Sequence, residues 1–157
     1  MTEPTTTPRR LPVPPVAVLG AAAAAQHVLS RRHGHIGAAR GLAGAALALT
    51  AGGFIAGSVR EFRRAQTTVN PVAPDRATSL VTGGPHQLSR NPMYVGMAGL
   101  LVAHAVARGN WAAVLPALGF VAVIDRVQIP AEEGAMAELF GRDYAEYAAR
   151  VPRWLGF

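Results

Sequence analysis

The chain has 157 residues, half of them hydrophobic and only 15% charged, well short of the about 25% charge of an ordinary soluble domain; its mean hydropathy is +0.22. All fifteen basic residues are arginine and there is no cysteine, which excludes a thiol nucleophile, a disulfide, Cys-ligated zinc, a P-loop lysine and a Schiff-base lysine. The net charge of +6 is not gathered into a basic stripe interleaved with aromatics, so it does not point to nucleic acid.

Residues 1–10 are Thr- and Pro-rich and read as a disordered terminus. Arg10 and Arg31 then bracket twenty uncharged residues, Leu11 to Ser30, and Arg40 and Arg60 bracket nineteen, Gly41 to Val59. A bilayer crossing takes about 20 residues, so both runs are long enough, and residues 11–59 read as two N-terminal transmembrane helices. The first helix is expected to start near Pro14 or Pro15, because proline suits a first helical turn. Arg9-Arg10 followed by an apolar run and Ala21 to Ala25 also resembles a leader peptide; the run continues to Ser30, which favours a retained span. Gly53 and Gly57 have the GxxxG spacing that allows close helix approach, and Gly37 and Gly41 repeat it.

Residues 60–157 form the remaining unit. Arg60 to Arg90 turns polar and is punctuated by Asn70-Pro71, Ala73-Pro74-Asp75 and Gly83-Gly84-Pro85, which predicts a long loop, the kind usually kept for function or left disordered. Asn91-Pro92 opens a third helix, with Asn91 at the N-cap and Pro92 at the first helical position. Two shorter uncharged runs follow, Asn91 to Ala107 and Gly109 to Ile124, of seventeen and sixteen residues; they read as short or tilted spans, or as a helical hairpin. Trp111 is expected to anchor at an interface. Pro130 opens the last helix, whose apolar positions Met136, Leu139, Phe140, Tyr144, Tyr147 and Val151 step by threes and fours, the pattern of an amphipathic helix. The fold class is therefore an all-α membrane protein with about four transmembrane helices and a C-terminal amphipathic helix. With four spans, and leaving aside Arg126 at the end of the fourth run, ten arginines fall on one face and four on the other, so the positive-inside rule puts both termini in the cytoplasm. Arginine without lysine and abundant alanine point to a GC-rich bacterial genome, and the membrane is then expected to be a bacterial inner membrane.

Two polar groups of residues bear chemistry. Ser89-Arg90-Asn91-Pro92 is a helix start, whose free N–H groups and positive dipole end suit an anion, with the Arg90 fork beside it. Taken alone it is equally a capped helix with an interfacial arginine. Glu132-Glu133 lies just past an apolar run, where unpaired charge is costly; acids also simply favour a first turn. If the stretch between them crosses the bilayer twice, the two groups return to one face and can share a pocket. His27 and His104 lie inside apolar helices and are expected to make interhelical hydrogen bonds. The histidines show no metal-ligand spacing, so no metal is expected.

The pattern Leu80-Val81-Thr82-x-Gly84-Pro85-x-x-x-Ser89-Arg90-Asn91-Pro92-Met93-Tyr94-x-Gly96, then Glu132-Glu133, then Phe140-Gly141-x-x-Tyr144-x-x-Tyr147-x-x-Arg150-Val151-Pro152-Arg153, resembles the isoprenylcysteine carboxyl methyltransferase and phospholipid methyltransferase superfamily, in its bacterial branch. These are small integral membrane enzymes that use S-adenosylmethionine. The resemblance runs from about Thr67 to Trp154. It implies that S-adenosylmethionine is held by Thr78, Ser79, Leu80 and Val81, by His86, by Asn91, Pro92, Met93 and Tyr94, and by Glu132. It implies catalytic roles for Arg90, Glu132 and Glu133. Where the eukaryotic carboxyl methyltransferases carry a substrate arginine this chain has Gln128, with Arg126 two residues away, so these two are the expected substrate residues. Family members often have Tyr or Phe where this chain has His86, and the eukaryotic enzymes have His where it has Asn91.

The implied function is methyl transfer to a lipophilic acceptor, a carboxylate, thiol or lipid amine, at the membrane surface. Arg90 and the Asn91-Pro92 helix start would receive the donor's carboxylate, Glu132 its ribose or amino group, and Tyr94 would line the pocket. The acceptor would enter between the third and fourth helices. An acceptor that must lose a proton needs a base, for which Glu133 and His86 both stand. The alternative is a non-catalytic four-helix membrane scaffold or transport-associated protein, with no affinity for the donor.

Overall fold

A computed structural model describes residues 14–31, 37–67 and 77–156. Residues 1–10, the turns at Asn70-Pro71 and Ala73-Asp75, and His33 and His35 lie outside them. The described residues are helical and irregular, with no strand. The helices are α1 (Pro15–Ser30), α2 (Ala38–Arg64), α3 (Pro92–Arg108), α4 (Val114–Val123) and α5 (Ile129–Arg150).

The boundaries follow from local chemistry. Pro15 opens α1 at its first turn, where its missing N–H costs nothing. α2 runs past the expected end at Val59, and Arg63 and Arg64 occupy its last turn, where cations meet the negative end of the helix dipole. α3 closes on Gly109, whose φ of 59° is the left-handed conformation open to glycine. A Cβ there would also run into the Arg40 guanidinium. Asn110 then accepts a hydrogen bond from Ala112 N at 3.0 Å, starting a short 3-10 turn into α4. α3 and α4 are thus a tight hairpin.

The last helix does not begin afresh at Pro130. α4 passes through a π-helical turn, Ile124–Gln128, straight into α5. A proline inside a helix lacks a donor and crowds the carbonyl four residues back; a widened turn just ahead of Pro130 accommodates it. Nor is α5 one amphipathic rod. Gly141 has φ 46° and ψ −115°, so the helix breaks there, and Leu139, expected on the apolar face, is 44% exposed. Beyond the break Tyr144, Tyr147 and Val151 form a small core with Leu80, Met136 and Phe140 packed against it.

α2 and α3 make the closest approach, but not through Gly53, which has nothing near its Cβ position. The contact runs through Gly96, Gly99 and Gly44. A Cβ on Gly96 would stand 2.7 Å from the Ala51 carbonyl, and one on Gly44 2.7 Å from the Ala107 Cβ. Gly57 is close to Pro85 instead. α1 packs on α3 and α4 around Ala22, Met97, Leu101, Ala117 and Phe120. At the far end of α1 the buried Gln26 donates to the carbonyls of Leu101 (2.9 Å) and Ala113 (2.6 Å) and meets His104 Nδ1 at 3.2 Å. His27, by contrast, is exposed.

Two stretches are long and apolar enough to cross a membrane, Ala38–Arg64 and Trp111–Arg150, with Pro15–Ser30 a shorter apolar helix. The second is 40 residues long, twice a crossing, and charge begins within it at Asp125, so its apolar part ends at Ile124. Apolar side chains such as Leu42, Leu49, Leu115 and Leu118 stand exposed on the outside, and Trp111 is 88% exposed, as lipid-facing positions would be. The bundle has two distinct ends: Ser30, Arg40, Arg108 and Asn110 gather at one, and the starts of α1, α3 and α5 meet the end of α2 at the other.

Candidate functional site

That second end holds a cavity of about 280 Å³, near the lower limit for small-molecule sites. Arg90 and Glu132, forty-two residues apart in sequence, both line it. Of the residues expected to bind a cofactor, Ser79, Leu80, Val81, His86, Asn91, Pro92, Met93, Tyr94 and Glu132 are on its wall, and so is Glu133. Thr78 is not; it is exposed and tied back to α2, its N–H donating to Thr67 Oγ1 at 2.9 Å and its hydroxyl to the Gln66 carbonyl at 3.3 Å. Gln128 and Arg126 are also off the wall. Arg126 is exposed, whereas Gln128 is buried and donates to Glu132. No α4 residue lines the cavity; α1 and α2 contribute Pro15, Val16 and Phe62 instead. An entrance between the third and fourth helices therefore does not match its position.

Asn91 occupies the N-cap position of α3, but its side chain does not cap the helix. Its amide donates to the Arg153 carbonyl at 3.1 Å, beside the Ser89 hydroxyl, which donates to the same oxygen at 2.9 Å. Arg90 N–H donates to the Pro152 carbonyl at 2.8 Å. The Ser89–Asn91 segment is therefore sewn to the Val151–Arg153 segment by backbone and side-chain bonds.

The carboxylates differ sharply in company. Glu133 takes Arg90 Nη2 at 3.1 Å and Arg153 Nη2 at 2.6 Å, with Arg153 Nε at 3.2 Å. Arg153 extends the network to Asp125 at 3.3 Å, and Trp154 Nε1 donates to the same Asp125 oxygen at 2.8 Å. Glu132 forms no ion pair among the described residues. Tyr94 OH (2.5 Å) and Gln128 Nε2 (2.7 Å) both donate to its Oε1. Burial pushes the Glu132 carboxyl above the ordinary carboxylate range and neighbouring Glu133 adds to this, while the Gln128 and Tyr94 hydrogen bonds pull it back. Among the described residues it is held in place by neutral donors alone.

His86 is 4% exposed, lies edge-on to Phe62 with ring centroids 5.2 Å apart, and has an Nδ1 with no hydrogen-bond partner. Tyr147 OH donates to its backbone carbonyl at 2.7 Å. Burial holds the imidazole below its ordinary value of 6.5, against the pull of the Gly83 backbone and Glu61. It is neutral at pH 7. As pH falls the unfolded chain takes up this proton first, so the associated stability is complete above about pH 6.5 and is lost as pH falls toward the depressed native value. Thermal melts in detergent should therefore show a shallower acid decline for His86→Phe than for the wild type; equal slopes would remove His86 from this role.

The sequence offered no route to Phe62 or Val16 as wall residues, since each is remote from the polar motifs, and Met97, one turn past Met93, lies just beyond the motif. Arg153 was visible in the C-terminal motif, but its partners Glu133 and Asp125, twenty and twenty-eight residues away, were not. The family model described as phospholipid methyltransferase matches residues 39–143. Protein-S-isoprenylcysteine O-methyltransferase B of Arabidopsis thaliana is 38% identical over 81 residues, which are 50% of this chain and 40% of that protein. An uncharacterized protein of Haemophilus influenzae is 36% identical over 63 residues, 40% of this chain and all of its own length. No solved structure matches.

Proposed function

We propose a membrane methyl transfer, starting from the fact that this chain belongs to the phospholipid methyltransferase family. The donor is S-adenosylmethionine and the acceptor a lipophilic carboxylate, thiol or amine at the membrane surface. α1 to α4 cross the bilayer four times, with the cavity at the arginine-rich, cytoplasmic end. The observation that carries the reading is the meeting, in one cavity, of the Arg90–Tyr94 helix start and Glu132.

The residues present suit a sulfonium donor. Among the described residues Glu132 has no cation partner and is hydrogen-bonded through one oxygen to neutral donors, and a positively charged ligand complements it. Leu80, Val81, Met93 and Phe62 give apolar surface beside it, and an apolar, dry wall strengthens that attraction. When bound, S-adenosylmethionine supplies an activated methyl group. The protein's task is then alignment and exclusion of water. Tyr94 and Gln128 fix the Glu132 carboxylate for the donor's polar groups, and Asn91, Pro92 and Met93 form the facing wall. Arg90 is braced by Glu133 and by Tyr144 OH at 3.4 Å, which leaves its buried Nε as the group without a partner.

A carboxylate acceptor is already ionised at pH 7, whereas a thiol or ammonium must first lose a proton. Both oxygens of Glu133 are engaged by guanidinium groups, so His86 is the base the cavity offers. Titration calorimetry of the detergent-solubilised chain with S-adenosylmethionine tests the reading. Saturable binding is expected, followed by label transfer from methyl-labelled donor to total lipid or small thiols. No heat and no transfer would leave the scaffold.

A further inference from the structure

We infer that α1 selects the acceptor: its first turn, Pro15 and Val16, forms the gate past which the acceptor's alkyl chain leaves the cavity for the bilayer. This rests on the methyl-transfer reading and names what that site accepts, an amphiphile whose alkyl chain lies against the first turn of α1. α1 lies outside residues 39–143, the part matched by the family model, yet it supplies two residues of the cavity wall. They differ in setting. Pro15 is fully buried, while Val16 is 68% exposed, so one residue touches both the cavity and the outer, lipid-facing surface. Among the described residues Val16 is also the one wall residue exposed at the surface, and α3 adds the apolar Met93 and Met97 to the same wall, whereas His86, Arg90 and Glu132 come from other elements. A head held among the polar groups therefore has an apolar way out beside Val16.

The gate is rigid because α1 is locked along its length. Val18, Leu19 and Ala22 pack into the core of α3 and α4. At the opposite end, besides the Gln26 bonds, Asn110 Nδ2 donates to the Leu29 carbonyl at 3.0 Å and Arg108 Nη2 to the Ser30 carbonyl at 2.8 Å. With Val18, Leu19 and Ala22 packed on the core directly behind it, the first turn cannot move away from α3 without parting that packing. The width of the gap is then set by the side chain at position 16.

The test uses the full chain in proteoliposomes with propyl and dodecyl thiols and carboxylates as acceptors. Val16→Trp should lower kcat/KM for the dodecyl probes about tenfold while the propyl probes and the S-adenosylmethionine Kd stay within about twofold. Val28→Trp, on the same helix at a position 61% exposed and off the cavity wall, should change none of these. Because the chain has no cysteine, Val16→Cys can be alkylated selectively with N-ethylmaleimide, and dodecyl but not propyl probes should protect it. Equal loss for both chain lengths, a weakened donor Kd, or absence of protection overturns the gate. Failure of the wild type to bind S-adenosylmethionine overturns the methyl-transfer reading instead, and the protection experiment still reads the seat of the chain.

Discussion

Replacing Glu132 with alanine is expected to weaken S-adenosylmethionine binding about a hundredfold, roughly 2.7 kcal/mol, while the helical circular-dichroism signal stays. The substitution removes the cavity acid that has no cation partner among the described residues. It also deprives Tyr94 OH and Gln128 Nε2 of their shared acceptor. Gln128 is fully buried, so losing this bond costs about 0.5–1.5 kcal/mol of stability. Glu132→Gln separates the two effects. Its amide oxygen can still accept from Tyr94 and Gln128, so the melting temperature should stay near that of the wild type, but the negative charge is gone and affinity should fall with it. Calorimetry and thermal melts on both variants decide. Undiminished binding in Glu132→Ala would take Glu132 out of the donor site, and full affinity in Glu132→Gln would show that charge is not what the donor reads.

What could be read from the sequence is what depends on local chemistry. The charge-free run and Pro15 marked α1, and Asn91-Pro92 marked the start of α3, because proline and flanking arginines act within a turn of where they stand. The joint motif likewise brought forward Arg90, Asn91, Glu132 and Glu133, which meet in the cavity. Geometry beyond one turn was not legible. The threefold and fourfold steps from Met136 to Val151 carry no information about the positive φ at Gly141, so a bent helix looked straight. The GxxxG spacing at Gly53 says that a helix can be approached closely, not on which face; α3 uses Gly96 and Gly99 against Ala51 instead. Asn91 was recognisable as an N-cap type, but its amide is drawn off by the Arg153 carbonyl sixty-two residues away. The helix start is thereby held to the C-terminal segment, a tertiary bond that outcompetes the local one.

Glu133→Ala should lower stability more than it lowers donor affinity, the reverse of Glu132→Ala. Glu133 is the single carboxylate between two guanidinium groups, and its loss leaves Arg90 and Arg153 facing each other. Breaking a fully buried pair costs about 3–5 kcal/mol. The side chains here are 17–33% exposed, so about 2 kcal/mol is the fitting figure, roughly a 4–8 °C fall in melting temperature for a chain of this size. Arg153→Ala relieves one of the two cations, and Asp125 keeps its bond from Trp154. The Arg153 backbone carbonyl, which Ser89 and Asn91 use, survives the substitution, so the segment joining Ser89–Asn91 to Val151–Arg153 is not undone. Glu133→Ala with Arg153→Ala should therefore cost less than the two singles added, by about 1 kcal/mol of coupling. Part of that coupling should fade in molar salt, since the pair is partly open to solvent. Strict additivity would mean the two charges do not feel each other, and Glu133 would then have to be regarded as a cavity group in its own right rather than as the brace that holds Arg90 beside the α3 start.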